Sequence, residues 1–245
     1  MQLIGRLIPM DEVTSRRRDA MFALMEQYYE NVRRATFEAD LDEKQWVIEV
    51  IDPATDLLCG FSTQMLLDAE VDGRPLKALF SGDTIIARDR WGDSALSHVW
   101  GRLSLSLIDS LPETELYWFL ISKGYKTYRF LPVFFHEFFP RHDRATPARA
   151  RTVIDALSLE RYPRDYDPVA GIIRGHARKD RLRPEVADLT AERLRDPHVA
   201  YFARRNPGHR AGDELCCLAP LTRGNFKPAA YRVIGQEPRM VGVPG

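Results

Sequence analysis

Cysteine is scarce in this chain of 245 residues: Cys59, Cys216 and Cys217 are the whole complement, and two of them are adjacent. A sparse, odd count gives no disulfide framework, and sequence neighbours rarely bridge each other. A reducing compartment, the cytoplasm, is therefore expected. Net charge is also lacking, with 35 Lys and Arg against 35 Asp and Glu. A nucleic-acid binder draws its affinity from released counterions and needs a positive excess, so no nucleic-acid partner is expected. Long apolar runs are missing as well. The longest candidate, Phe130–Phe135, contains Pro132 and falls far short of the roughly 18 residues a membrane span needs. The Leu3-Ile4 and Leu7-Ile8 pairs are broken by Arg6 and are too short for a secretory leader. Gly and Pro, at 15 and 16 residues, are near their ordinary share, which excludes a low-complexity chain. What remains is a 44% hydrophobic sequence, long enough for one or two domains with a buried core.

The hydrophobic period changes along the chain. Met21, Leu24, Met25, Tyr28 and Val32 recur at threes and fours, which predicts a helix over about Arg17 to Ala39. Gln45–Ile51 is β-branched and apolar; the turn residues Asp52-Pro53-Ala54-Thr55-Asp56 separate it from Leu57–Leu67, and the pair reads as an antiparallel hairpin. A second turn at Asp72-Gly73 leads into a third strand, Leu76–Ala87. Gly82 lies inside that strand, where glycine marks a bulge or the close approach of a ligand. After the loop Arg88-Asp89-Arg90-Trp91-Gly92-Asp93, either Asp93 or Ser94 can cap a helix running to about Leu111. Glu115–Ile121 reads as a buried strand, and Tyr125 to about Phe139 as a helix that Pro132 kinks or delays. Antiparallel strands followed by a strand–helix–strand crossover predict a mixed sheet.

From Arg141 to Arg210 there are 16 Lys and Arg against 10 Asp and Glu. Helices are expected over about Pro147–Leu157, Pro184–Arg195 and Pro197–Arg205. The surplus is either a solvated surface or a docking face for an acidic partner. Glu214–Leu218 reads as a short strand or buried segment, and the Gly- and Pro-bearing tail as mobile. No internal repeat is visible. The division expected is a core over 1–140 and an Arg-rich, mainly helical extension over 141–245 packed on it.

The junction of the third strand with its loop and helix is the best place for a ligand. A helix N-terminus offers unpaired N–H groups and the positive end of the dipole. Arg88 and Arg90 flank it, and Gly92 permits close backbone approach. The carriers of a family likeness are Glu43-Lys44-Gln45-Trp46-Val47-Ile48, Leu79-Phe80-Ser81-Gly82-Asp83-Thr84-Ile85-Ile86 and Leu116–Phe135. With the order helix, hairpin, bulged strand, loop, helix, strand, helix, they resemble the GCN5-related N-acetyltransferase (GNAT) superfamily over roughly Arg17 to Phe139. Within it the chain is similar to long-chain N-acyl amino acid synthases and acyl-homoserine-lactone synthases.

The resemblance implies an α/β fold with a mixed, mostly antiparallel central sheet flanked by helices and a helical C-terminal elaboration. It implies that Phe80, Ser81, Gly82, Thr84, Ile85 and Ile86 hold the pantetheine arm of an acyl thioester, and that Arg88, Arg90, Trp91, Gly92 and Ser94 meet its phosphate. It implies a Tyr that protonates the departing thiolate, Tyr128 in preference to Tyr125. The loop lacks the family's further glycines and carries Asp89 and Asp93. A carrier protein's single phosphodiester therefore suits it as well as coenzyme A does, and the donor is acyl-CoA or an acyl carrier protein.

An amine attacking a thioester also needs a base and an oxyanion donor. Asp83, beside the bulge, is the candidate base or amine-positioning group, with Glu115 a poorer one; Asp83 could equally make a local turn bond. Trp118, Phe119, Phe130, Phe134 and Phe135 are candidates to line an acyl pocket, or else ordinary core. The function expected is N-acyl transfer, with a lipid acyl group, to an amine of an amino acid or peptide side chain. The alternative is the same fold binding an acyl ligand or protein partner without catalysis. No metal is expected: His136-Glu137 with His142 misses the zinc spacing, and His209, Asp213, Glu214, Cys216 and Cys217 follow no recognised one.

Overall fold

The computed structural model describes residues 2–235; the tail expected to be mobile lies largely outside them. The strands are β1 (Ile4–Pro9), β2 (Tyr29–Glu30), β3 (Trp46–Asp52), β4 (Leu57–Val71), β5 (Arg74–Ile86), β6 (Glu115–Ser122), β7 (Tyr166–Asp167), β8 (Ile172–Ile173), β9 (Arg181–Leu182) and β10 (Glu214–Pro220). The α-helices are α1 (Ser15–Tyr28), α2 (Arg34–Asp42), α3 (Ala95–Ser110), α4 (Tyr125–Tyr128), α5 (Phe130–Phe134), α6 (Ala148–Arg161), α7 (Pro197–Arg205) and α8 (Pro228–Ile234). Eight strands form one sheet in the order β1-β3-β4-β5-β6-β10-β8-β7. All its pairings are antiparallel except β5 with β6. This is the mixed sheet expected.

Alternation along the strands sends side chains to two faces. Leu79, Trp118, Leu120 and Cys217 pack with Leu103 of α3 and Phe202 of α7. On the opposite face Ala78, Phe80, Phe119, Cys216 and Leu218 meet Val153, Ile154 and Leu157 of α6. Val47, Ile51, Phe61 and Ile85 meet Met21 and Leu24 of α1 and Phe37 and Leu41 of α2. Adjacent Cys216 and Cys217 thus belong to opposite faces of β10 and are free thiols.

Several elements depart from expectation. The apolar pairs near the start form β1, which pairs with β3 at the sheet edge. The helix expected over Arg17–Ala39 is broken in two, because Tyr29 and Glu30 pair with Leu182 and Arg181 and Asn31 turns the chain at φ 61°. The helix expected from Tyr125 to Phe139 is two short ones, and Phe139 instead bridges Leu218 of β10. Of the helices expected in the Arg-rich region, α6 and α7 are present. Residues 184–195 hold only a 3₁₀ turn at Arg193–Arg195. Residues beyond 140 also enter the sheet itself, since β10 pairs along β6 from Leu215↔Ser122 to Pro220↔Tyr117.

Candidate active site

The site begins with a fault in the sheet. Ser62 of β4 pairs with Thr84 of β5, and Gln64 with Ser81. Gly82 and Asp83 therefore face Thr63 alone, which is a β-bulge. Glycine is required there: a Cβ at Gly82 would lie 2.5 Å from Thr63 Oγ1 and 3.0 Å from Lys44 Cε. At the same point the parallel pairing of β5 with β6 ends, at Ser81↔Leu120. Beyond it β6 continues against β10, while β5 runs to Ile86 without a ladder partner on that side. The two strands part into a V.

A knot of hydrogen bonds holds the fork. The Ser81 hydroxyl accepts from Trp100 Nε1 of α3 at 3.2 Å and from Trp118 Nε1 of β6 at 3.0 Å, and donates to Gln64 Oε1 at 2.7 Å. Gln64 Nε2 donates to Ser62 Oγ at 2.7 Å, which shares a hydrogen with Thr84 Oγ1 at 2.7 Å. Buried polar atoms seek partners, and Ser62, Gln64, Ser81 and Thr84 find them across the bulge, whereas the buried Thr63 Oγ1 has none among the described residues. Ser81 is consequently a structural pin.

The V opens into a cavity of about 650 Å³. Phe80, Gly82, Asp83, Thr84, Ile85 and Ile86 line it from β5, Trp91, Gly92 and Asp93 from the following loop, and Phe130 from α5. Arg88, Arg90 and Ser94 are not in the wall. The backbone N–H of Arg88 donates to Tyr28 Oη at 2.7 Å, and Arg90 turns to Asp89 at 3.1 Å and Asp52 at 3.7 Å. Ser94 makes no cap hydrogen bond; Asp93 Oδ1 accepts from the Ala95 N–H at 2.7 Å instead.

Asp83 lies half-buried in the wall. Burial raises its carboxyl to about 7, Asp40 and Asp180 push the same way, and Lys123 and Lys44 oppose. A carboxylate poised near neutrality is what a general base requires. Around it stand groups with little mark in the sequence: Tyr29, Asp40, Lys123, Tyr162, Lys179, Asp180 and Glu214 all line the cavity. Lys123 lies 2.5 Å from Asp180 and 3.4 Å from Glu214. Burial works against its charge, but these carboxylates outweigh it and its pKa is raised. The other oxygen of Glu214 lies 2.7 Å from Lys179. Tyr29 is kept protonated by burial, with Lys123 opposing. Lys123 directly follows the apolar strand Glu115–Ser122, at the carboxyl end where parallel α/β sheets bind ligands; that position was the available signal. The others come from five separate elements, and no local spacing links them.

Both tyrosines expected as the acid lie outside the cavity wall. Tyr128 is fully buried among Phe138, Tyr201 and Phe202, and its hydroxyl donates to the Pro140 carbonyl at 2.9 Å. Burial raises its pKa further. Tyr125 is buried, with the Arg193 guanidinium over its ring at 5.8 Å. Glu115 lies at the far end of β6, bound by Arg149 at 2.6 Å.

The expected acyl pocket divides. Trp118, Phe130 and Phe134 line a side pocket of only about 30 Å³. Phe119 faces the α6 side and packs on Phe80 at 5.6 Å, while Phe135 is locked against Trp118 at 5.5 Å and Phe226 at 5.0 Å. The larger apolar wall is formed by Met25, Val32, Phe37, Ile85, Leu182 and Val186 of the main cavity. Among the described residues no group of three or more His, Cys, Asp or Glu side chains is arranged to hold a metal ion.

No model of a known protein family matches this chain, and no curated protein does. Among the solved structures similar to it are the following three. A protein from Enterococcus faecalis described as a probable N-acyltransferase is 16% identical, with a TM-score of 0.42 over 65% of this chain and 44% of that one. This chain therefore spans less than half of that protein's length. A GNAT family N-acetyltransferase from Escherichia coli, in complex with CoA, is 15% identical, with a TM-score of 0.38 over 53% and 68%. The N-myristoyltransferase of Saccharomyces cerevisiae with bound myristoyl-CoA is 12% identical, with a TM-score of 0.37 over 50% and 29%. The mixed sheet, the bulged strand and the parted parallel pair are together the GNAT-like fold that the sequence resemblance implies.

Proposed function

We propose that this chain is an N-acyltransferase that moves an acyl group from a thioester to an amine. The observation that carries this reading is the V between β5 and β6, opening on a cavity with Asp83 in its wall. Backbone groups of Gly82–Ile86 on the β6 side have no ladder partner, so an extended pantetheine arm can add to β5 as a strand would. The ammonium form of the amine loses a proton to Asp83, and the lone pair so freed attacks the thioester carbonyl carbon. The oxyanion is stabilised by an N–H at the bulge. The C–S bond then breaks, the thiolate takes a proton from Tyr29, the phenol that faces this cavity where Tyr128 does not, and the second proton shed by the nitrogen as the amide forms restores that phenol. The donor is acyl-CoA or an acyl carrier protein. The apolar wall from Met25 to Val186 supports a fatty acyl group, and the charged wall of Asp40, Lys123, Asp180 and Glu214 supports an amino acid or peptide amine as acceptor.

The test is to incubate the purified protein with acyl-CoA or acyl carrier protein thioesters of varied length and a pool of amino acids and peptides. Mass spectrometry then reads the amide product. Amide formation with stoichiometric release of free thiol is expected. Thioester bound but never consumed, across all carriers, would establish the non-catalytic binding module instead.

A further inference from the structure

The cations that reach Asp83 are already engaged. Lys123 and Lys44 are the positive charges that act most on its carboxyl, and Asp40 and Asp180 the negative ones. The Lys123 ammonium is shared between Asp180 at 2.5 Å and Glu214 at 3.4 Å. Lys44, whose side chain is fully buried, lies 2.8 Å from Asp40. Lys179 lies 2.7 Å from the other Glu214 oxygen, and Arg161 reaches Asp40 at 3.5 Å and Glu43 at 2.5 Å. The Asp83 carboxylate has neither an ion pair nor a hydrogen bond among the described residues.

The remaining basic groups of the cavity wall stand apart from this cluster. Arg33, His176 and Arg178 are exposed, Lys126 lies over the Trp91 ring, 3.1 Å from its centroid, and none of them is among the charges that act most on Asp83. An ammonium drawn to Asp83 therefore meets one unpaired carboxylate with Asp40 and Asp180 behind it. A carboxylate on the carbon next to that ammonium would enter the same group, where Lys123, Lys44 and Lys179 are taken. Like charges brought together away from bulk water repel strongly, and such repulsion is how a site rejects a close analogue of its ligand.

We propose that Asp40 and Asp180 select the acceptor by charge, admitting an amine on an uncharged carbon chain and rejecting one with a carboxylate on the neighbouring carbon, as in every free α-amino acid. This rests on the acyl-transfer reading of the cleft and narrows its acceptor to an amine remote from any carboxylate. A small alkylamine and a lysine side chain share that chemistry.

Calorimetry at neutral pH, with and without coenzyme A, compares tyrosine, tyrosinamide and tyramine. Leucine, leucinamide and isopentylamine form a second set, and a lysyl tripeptide blocked at both ends carries the same chemistry on a peptide. Tyrosinamide is less basic than tyrosine and tyramine more so, and a preference for both therefore does not come from the nitrogen. The carboxylate-free ligands should bind about tenfold or more tighter than the amino acids, the low end of a like-charge contact. Asp180→Asn leaves Lys123 only its longer contact with Glu214 and frees it to hold a carboxylate, so the preference should largely disappear. Asp40→Asn, which releases Lys44, should act in the same direction and serves where Asp180→Asn does not fold. Tighter binding of the small amines, or of the lysyl peptide, upholds the selection and identifies the source of the amine. Amino acids that bind as tightly as their amides and amines overturn it, as does a wild-type protein that binds none of these ligands, or folded variants that keep the full preference. Adding an acyl thioester tests the other reading separately. Amide formed from tyrosine as readily as from tyramine keeps acyl transfer and removes the selection, whereas selective binding with no thioester consumed keeps the selection and removes acyl transfer.

Discussion

In the proposed reaction, Asp83 is the residue on which turnover depends. Replacing it with Asn keeps the shape and removes the proton acceptor, so kcat/KM should fall by about a hundredfold or more, the usual reach of a positioned base. In wild type, activity should rise with pH through about 7 as the carboxyl ionises, and that inflection should vanish in the variant. A profile flat from pH 5 to 9 would remove Asp83 from the mechanism. Ser81 should behave otherwise. Ser81→Ala strands two indole donors and one amide oxygen, at a cost of roughly 2–3 kcal/mol, visible as a lowered urea midpoint. Gly82 and Asp83 are legible in the sequence, because glycine inside a strand is an anomaly that needs a reason. Tyr29, Asp40, Asp180 and Glu214 are not, because each sits in an ordinary local context and acquires meaning only where separate elements converge.

Among the elements, β5 has the two-sided task of closing the sheet up to Ser81 and opening it afterwards. Gly82→Ala should test this, since its methyl would press on Thr63 and the Lys44 stem. A loss of roughly 1–3 kcal/mol in stability is expected, together with weakened thioester binding. Wild-type affinity in a folded variant would mean that the bulge has no part in the site. The hairpin β3–β4 and strand β5 are legible beforehand because their turns carry local signals, Asp52-Pro53 and Asp72-Gly73. The break between α1 and α2 is not legible. The helical period runs on through Val32, no Gly or Pro interrupts it, and the strand that overrides it lies some 150 residues away at Arg181–Leu182. The same distant pairing draws the chain into a strap, and residues 184–195 are largely irregular.

For the molecule as a whole, the sheet is shared between both halves of the chain. A fragment ending at residue 140 loses β10 and α6. It exposes the β6 edge and uncovers Phe80 and Phe119. Unpaired apolar edges aggregate, so this fragment should give no cooperative melt by circular dichroism, whereas the chain through residue 235 should melt in one transition. A cooperative melt of the fragment would make the C-terminal part a true appendage.

The small pairing of β2 with β9 also sets a timetable. Tyr29 leaves the ribosome early and Leu182 late, yet the cavity has its full wall only when they meet. A nascent chain that stalls before Leu182 therefore presents the base and the fork without a roof, and contacts so distant along the polymer are slow to form. On the proposed function, such a half-made chain would lack the walled cleft in which a thioester is to be held.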